Sequence, residues 1–256
     1  MATDFDPPDD EFRTLDQAVN VFLDEIVSTI KKSLNCDLVV NDSYVSPSKR
    51  NAAESSSGFR TGHQLAVSLR VDGIPTYRLE ATYLLIWNGT REFIAVSTST
   101  FGVFIEGSNE PLFHYDYYRE PRGKNAGAHL NIHHNREDLR AALLKGGKYH
   151  KAKARHKQLT KGKTLSDSEL HYPLGGPRFR PCLEDVIQFM IYELGVDTKV
   201  GWEQVLNNGR TRWRERQLRT AVTDNLHVAA EVLRSRGFTV EGGPEPDRNI
   251  RRLTEL

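Results

Sequence analysis

A chain of 256 residues, 38% of them hydrophobic, is long enough to bury a sizeable core. The formal net charge of +1 excludes a global field that would select nucleic acid, yet residues 145–163 carry seven lysines, one arginine and no acid, and residues 1–11 carry five acids and no base. The two cysteines, Cys36 and Cys182, form no Cys-x-x-Cys pair, which excludes a cysteine zinc knuckle, and no apolar run approaches the roughly 20 residues of a membrane span.

Residues 1–10 read as an acidic disordered arm, unlike a secretory leader, so the expected location is cytoplasmic, with no membrane partner. From Glu11 to Leu34 the apolar residues Phe12, Leu15, Val19, Phe22, Ile26 and Ile30 recur at helical spacing and predict one amphipathic helix. Asp37 to Ser46 predicts a strand, and Pro47 to Gly58 a polar loop. Leu65 to Val71, Tyr77 to Trp87, Glu92 to Ser99 and Thr100 to Ile105 predict further strands, with a hairpin turn at Asn88-Gly89 and a bulge or turn near Gly102.

Four of the nine histidines fall between Pro111 and His134. Both arms of this stretch alternate with the period of a strand. Paired across a loop from Pro121 to Gly127, they set His114, Asp116 and Tyr118 on one face, with His129, Asn131 and His133 beside them. Neighbouring strands lie about 5 Å apart, close enough for such groups to share a ligand or a proton. His129 and His133 are about 13 Å apart along one strand, so His114, or His171 from farther along, has to complete a compact site.

Arg136 to Leu144 predicts a short helix, and residues 145–167 a basic linker. Cys182 to Leu194 predicts a helix with Pro181 before it and Gly195 ending it. Trp202 to Leu206 predicts a short helix broken at Asn207-Asn208-Gly209, and Thr211 to Arg236 a long one. Phe238 to Val240 reads as an added strand, and 241–256 as a tail. The expected fold is α+β: an N-terminal helix packed on a mostly antiparallel sheet over 11–144, then a small helical unit over 168–240.

Two kinds of chemistry suit these residues. Histidines can serve as general base and general acid near neutrality, with a carboxylate orienting the ring. That assigns catalytic roles to His114, Asp116, His129, His133 and His171, and phosphate binding to Arg178, Arg180, Arg212 and Arg216, whose guanidinium groups match phosphate. No cofactor is then required. The alternative is a zinc-like transition metal held by His114, Asp116, His129 and His133. The reading is a nucleic-acid-interacting protein, a metal-independent nuclease acting on RNA or DNA. Its alternative is a non-enzymatic module that binds nucleic acid or a protein partner.

Phe113-His-Tyr-Asp-Tyr, Ala128-His-Leu-Asn-Ile-His and His171-Tyr-Pro-Leu-Gly-Gly-Pro-Arg-Phe-Arg-Pro-Cys-Leu-Glu-Asp together resemble a group of uncharacterised actinobacterial proteins, over about residues 75–197. The tyrosine-aspartate strand and the later His-x-x-x-His are distantly similar to TumE-type toxins of toxin–antitoxin pairs. That resemblance implies a toxin-like or defence-like role. The lysine-rich segment and the helical half have no counterpart in it.

Overall fold

A computed structural model describes residues 15–41, 61–87, 94–120, 126–133, 154, 157–163, 172–174 and 180–243. The expected acidic arm, the polar loop, the Asn88-Gly89 turn, the helix from Arg136 and the tail beyond Gly243 lie outside them, as do most of the basic segment, His171 and Arg178.

The N-terminal helix α1 spans Leu15–Ser33. Val19, Leu23 and Ile30 on one side of it are buried at 9% exposure or less, as their three- and four-residue spacing requires. Six strands follow as an antiparallel meander: β1 (Cys36–Asn41), β2 (Thr61–Val71), β3 (Ile74–Trp87), β4 (Ile94–Ile105), β5 (Pro111–Tyr118) and β6 (Ala128–Ile132). A two-residue strand β7 (Tyr172–Pro173) adds to the edge, so each of the seven strands pairs with its neighbour in sequence. The two strands expected over Glu92 to Ile105 are one strand, β4, from Ile94 on; its own bulge residue is Ser97, and the irregularity beside Val103 and Phe104 puts the extra residue, Leu112, on β5.

The β2–β3 turn takes positive φ at Asp72 (50°) and Gly73 (79°), the twist a two-residue hairpin needs. The Asp197 carboxylate accepts from both of those amides, at 3.0 and 2.8 Å. This ties the sheet to the helical half of the chain.

Helices α2 (Leu183–Leu194), α3 (Trp202–Asp224) and α4 (Leu226–Ser235) follow among the described residues. Cys182 caps α2, where the Asp185 carboxylate accepts from the Cys182 amide at 3.1 Å. Gly195 ends α2 in the left-handed region at φ 68°. The break expected at Asn207-Asn208-Gly209 is absent. Gln204 donates to Asn208 and Arg210 donates to Asn207 along the helix surface, which occupies the amides that otherwise compete with the helix backbone. The helix is interrupted at Asn225 instead, whose backbone leaves the helical region (φ −146°, ψ 61°), and Phe238 to Val240 forms no strand.

Helices cover one face of the sheet. Leu183, Val186, Ile187, Met190 and Leu206 share one core with Leu65, Val67, Leu69, Leu79, Leu85 and Val103. Phe22 of α1 meets Tyr83 edge-on at 5.2 Å, and Phe189 of α2 meets Phe113 in the same way at 5.2 Å. The helical half therefore completes the sheet's core. The other face carries polar side chains, Thr100, His114 and Asp116 among them, together with the Phe104 ring.

Candidate functional site: two carboxylate–histidine dyads

Register sets the candidate site on that polar face. Across β4, β5 and β6, Thr100 opposes Asp116 and Asp116 opposes His129, while Gly102 opposes His114 and His114 opposes Asn131. His133 stands just past β6, held by its amide donating to Leu112 O at 2.9 Å. Gly102 carries no side chain because the Phe104 ring lies over it, 2.8 Å from where a Cβ would sit.

The side chains form a line. His133 Nδ1 is 3.4 Å from Glu110 Oε1, His133 Nε2 is 3.0 Å from His114 Nδ1, and His114 Nε2 is 3.3 Å from Asp116 Oδ2. Each ring thus turns one nitrogen to a carboxylate and the other to its fellow ring. The contact between the rings takes one hydrogen, donated by one of His133 Nε2 and His114 Nδ1 and accepted by the other.

Thr100 Oγ1 donates to the far oxygen of Asp116 at 2.8 Å. Burial alone would push the Asp116 carboxyl up. Hydrogen bonds from His114 and Thr100, with the charges of His114 and His129, outweigh it and hold the group below the usual carboxylate range.

His129 has a different position. It is 1% exposed, and its Nδ1 lies 2.8 Å from Ala126 O. A carbonyl only accepts, so Nδ1 carries the hydrogen. Nε2 then faces Asp116 Oδ2 at 3.6 Å, and the ring lies nearly parallel to Tyr118. His129 supports Asp116 from inside the fold, whereas His114, at 19% side-chain exposure, and His133, at 13%, reach solvent.

Of the expected catalytic residues, His114, Asp116, His129 and His133 are thus brought together, and His171 lies outside the described residues. Glu110 and Thr100 join them. Glu110 was missed because it sits in the turn before β5, although the register puts His133 opposite Leu112, within reach of it.

The metal alternative does not fit this geometry. Among the described residues no three His, Cys, Asp or Glu side chains converge on one point. His114 turns its two nitrogens in opposite directions, to His133 and to Asp116, so the four groups make a line rather than a shell.

The expected phosphate ligands are elsewhere. Arg178 lies outside the described residues. Arg180 is 9% exposed and stacks on the Tyr117 ring at 3.7 Å, with Trp213 at 5.4 Å. Tyr117 alternates with Asp116 and points to the helices, so Arg180 is on the opposite side of the sheet from the histidines. Arg212 and Arg216 line a cavity on that same helical side, and Arg216 makes a two-pronged ion pair with Glu25 of α1, both contacts 2.9 Å. The arginines of early α3 are partly neutralised within the chain, Arg210 by Asp185 at 2.7 Å and Arg216 by Glu25.

No family model, curated protein or solved structure matches this chain.

Proposed function

We propose that the chain is a metal-independent nuclease, toxin-like or defence-like, that cleaves RNA with His114 and His133. The observation that carries this reading is the meeting of two carboxylate–histidine dyads nose to nose, with inner nitrogens 3.0 Å apart. Asp116 orients His114 and Glu110 orients His133, as a general base and a general acid each require.

RNA is the substrate of choice because a metal-free site gains most from a nucleophile already in the substrate. His114 Nδ1 takes the proton of a ribose 2′-hydroxyl as its oxygen bonds to phosphorus. The bond from phosphorus to the 5′-oxygen breaks, and His133 Nε2 gives that oxygen a proton. The scissile phosphate takes the place of the present nitrogen–nitrogen contact. The His133 dyad is the one that yields, since His133 stands past its strand and Glu110 is 75% exposed. Lys157, Lys161 and Lys163, exposed in the basic segment, supply cations for the polymer's phosphates.

His114→Gln and His133→Gln each lower RNA cleavage measured in EDTA by about 10²- to 10⁴-fold. Binding at low salt persists in both variants. No cleavage by the wild type, or cleavage unchanged in both variants, contradicts the reading.

A second reading, a non-enzymatic interaction module, has its own support in α4. Among its residues and those just after it, Leu226, Val232, Leu233 and Phe238 are exposed by 43–63%, a group of large apolar side chains of the kind that marks an interaction surface. Nucleic-acid or protein binding without turnover, lost on changing α4 or the basic segment and kept on changing the histidines, selects that reading.

A further inference from the structure

On the helical side of the sheet lies a cavity of about 60 Å³, room for roughly four to six waters. Tyr83 and Phe101 of the sheet form its floor. Its walls carry Glu25 from α1, Arg180 and Glu184 from the start of α2, and Arg212, Trp213 and Arg216 from α3. Three cations and two carboxylates leave the lining with a formal charge of +1 (3 − 2).

The charges are not equivalent. Arg180 is buried and clamped on two aromatic faces, so its position is fixed. Arg216 and Glu25 satisfy each other where α1 crosses α3, with side chains 52% and 30% exposed, and so form the solvent end of the cavity. Arg212 is half-buried, and among the described residues no hydrogen bond or ion pair uses its guanidinium. The N-terminus of the twelve-residue helix α2 also opens here, since Pro181, Leu183 and Glu184 all line the space. Its partial positive charge offsets part of the Glu184 carboxylate. Glu184 is itself set against α3 at Gly209, where a Cβ would overlap its carboxyl group. Arg212 thus turns an uncommitted guanidinium into a space that Arg180 also lines, the donor arrangement a small anion takes.

We propose that this cavity is a binding site for a small oxyanion of phosphate size, held by Arg212 with Arg180 beside it. The group is either free phosphate or the phosphoryl end of a small metabolite whose remainder leaves past Arg216 and Glu25. A polynucleotide backbone does not fit so small a space. The site is separate from the dyads, because Tyr117 and Asp116, neighbours on β5, face opposite sides of the sheet. It therefore acts as an effector or ligand site, independent of cleavage.

The test is thermal unfolding of the full chain in a phosphate titration at constant ionic strength, with methyl phosphate in parallel and chloride as the reference. A saturable rise in Tm is expected with phosphate. A tighter response to methyl phosphate identifies an esterified ligand, and a weaker one free phosphate. Arg212→Gln weakens the response about tenfold or more, the effect of removing charge-assisted hydrogen bonds. Arg214→Gln, which removes an arginine two residues away that does not line the cavity, keeps it. No saturable rise in the wild type overturns the proposal, and so does an equal loss in both variants. Should Arg212→Gln fail to fold, Arg212→Lys takes its place; it keeps the charge but not the two-pronged guanidinium, so the response weakens, and an unchanged response overturns the proposal.

Discussion

His114 and His129 show how position along one strand face separates two roles. Both touch Asp116 Oδ2, at 3.3 and 3.6 Å. His129 is buried, stacked on Tyr118, and its Nδ1 is committed to the Ala126 carbonyl, so under the proposed cleavage it would position Asp116 rather than move a proton itself. His129→Gln should therefore reduce cleavage less than His114→Gln, while lowering Tm more; equal effects on both readouts would contradict the division. Asp185 offers a cleaner stability test at this scale. Burial alone raises its carboxyl, but hydrogen bonds from Arg210 and from the Cys182 amide and thiol outweigh that and hold it below the usual value. A folded carboxyl that titrates below its unfolded value stabilises fully at neutral pH, and that contribution fades as pH falls below about 4. Asp185→Asn should cost about 1.5–3 kcal/mol at pH 7 and clearly less at pH 3. Urea unfolding at both values checks this, and a gap that does not narrow contradicts it. The alternation of β5 placed His114 and Asp116 together from sequence alone, because a strand allows only two faces. Glu110 escaped that logic, since a turn residue has no fixed face.

At the scale of elements, short-range rules located most boundaries. The apolar spacing of α1, the Pro181 and Gly195 limits of α2 and the alternation of Leu65, Val67 and Leu69 in β2 appear where they were expected. Helix α3 did not follow them. Asn207, Asn208 and Gly209 read as a stop, but the chain passes through because Gly209 lies under Glu184, a contact made by a residue 25 positions earlier. A glycine chosen for close approach looks the same in sequence as one chosen for a turn. Gly195 is the opposite case. Its φ of 68° is left-handed and nothing stands within 4 Å of where a Cβ would be, so the cost of a side chain there is conformational alone. Gly195→Ala should lower stability by about 1 kcal/mol, read as a fall in the urea midpoint with an unchanged slope; no fall would mean that the α2 cap does not limit stability.

For the whole molecule, the consequence is a sheet with two unlike sides. One carries the dyads and faces away from the helices; the other carries the core and the arginine cavity. Sequence supplied both sets of residues but grouped them as one phosphate-cleaving site, because nothing local says to which side Arg180 returns after the chain passes β7. The stacking of its guanidinium on Tyr117 decides that, and it is a tertiary contact. Two separate sites predict separable losses. Arg212→Gln should leave RNA cleavage within about twofold of wild type, since truncating a group remote from the reacting atoms removes no interaction made in the transition state, and the histidine variants should leave the phosphate-dependent rise in Tm intact. The most direct measurement is cleavage of a single-stranded RNA by the full chain in EDTA, beside the same RNA with its 2′-hydroxyls replaced by hydrogen, for wild type, His114→Gln and His133→Gln. The account predicts cleavage of the ribose substrate only, leaving cyclic phosphate ends, and its loss in both variants. Equal cleavage of both substrates, or full activity in either variant, would contradict it.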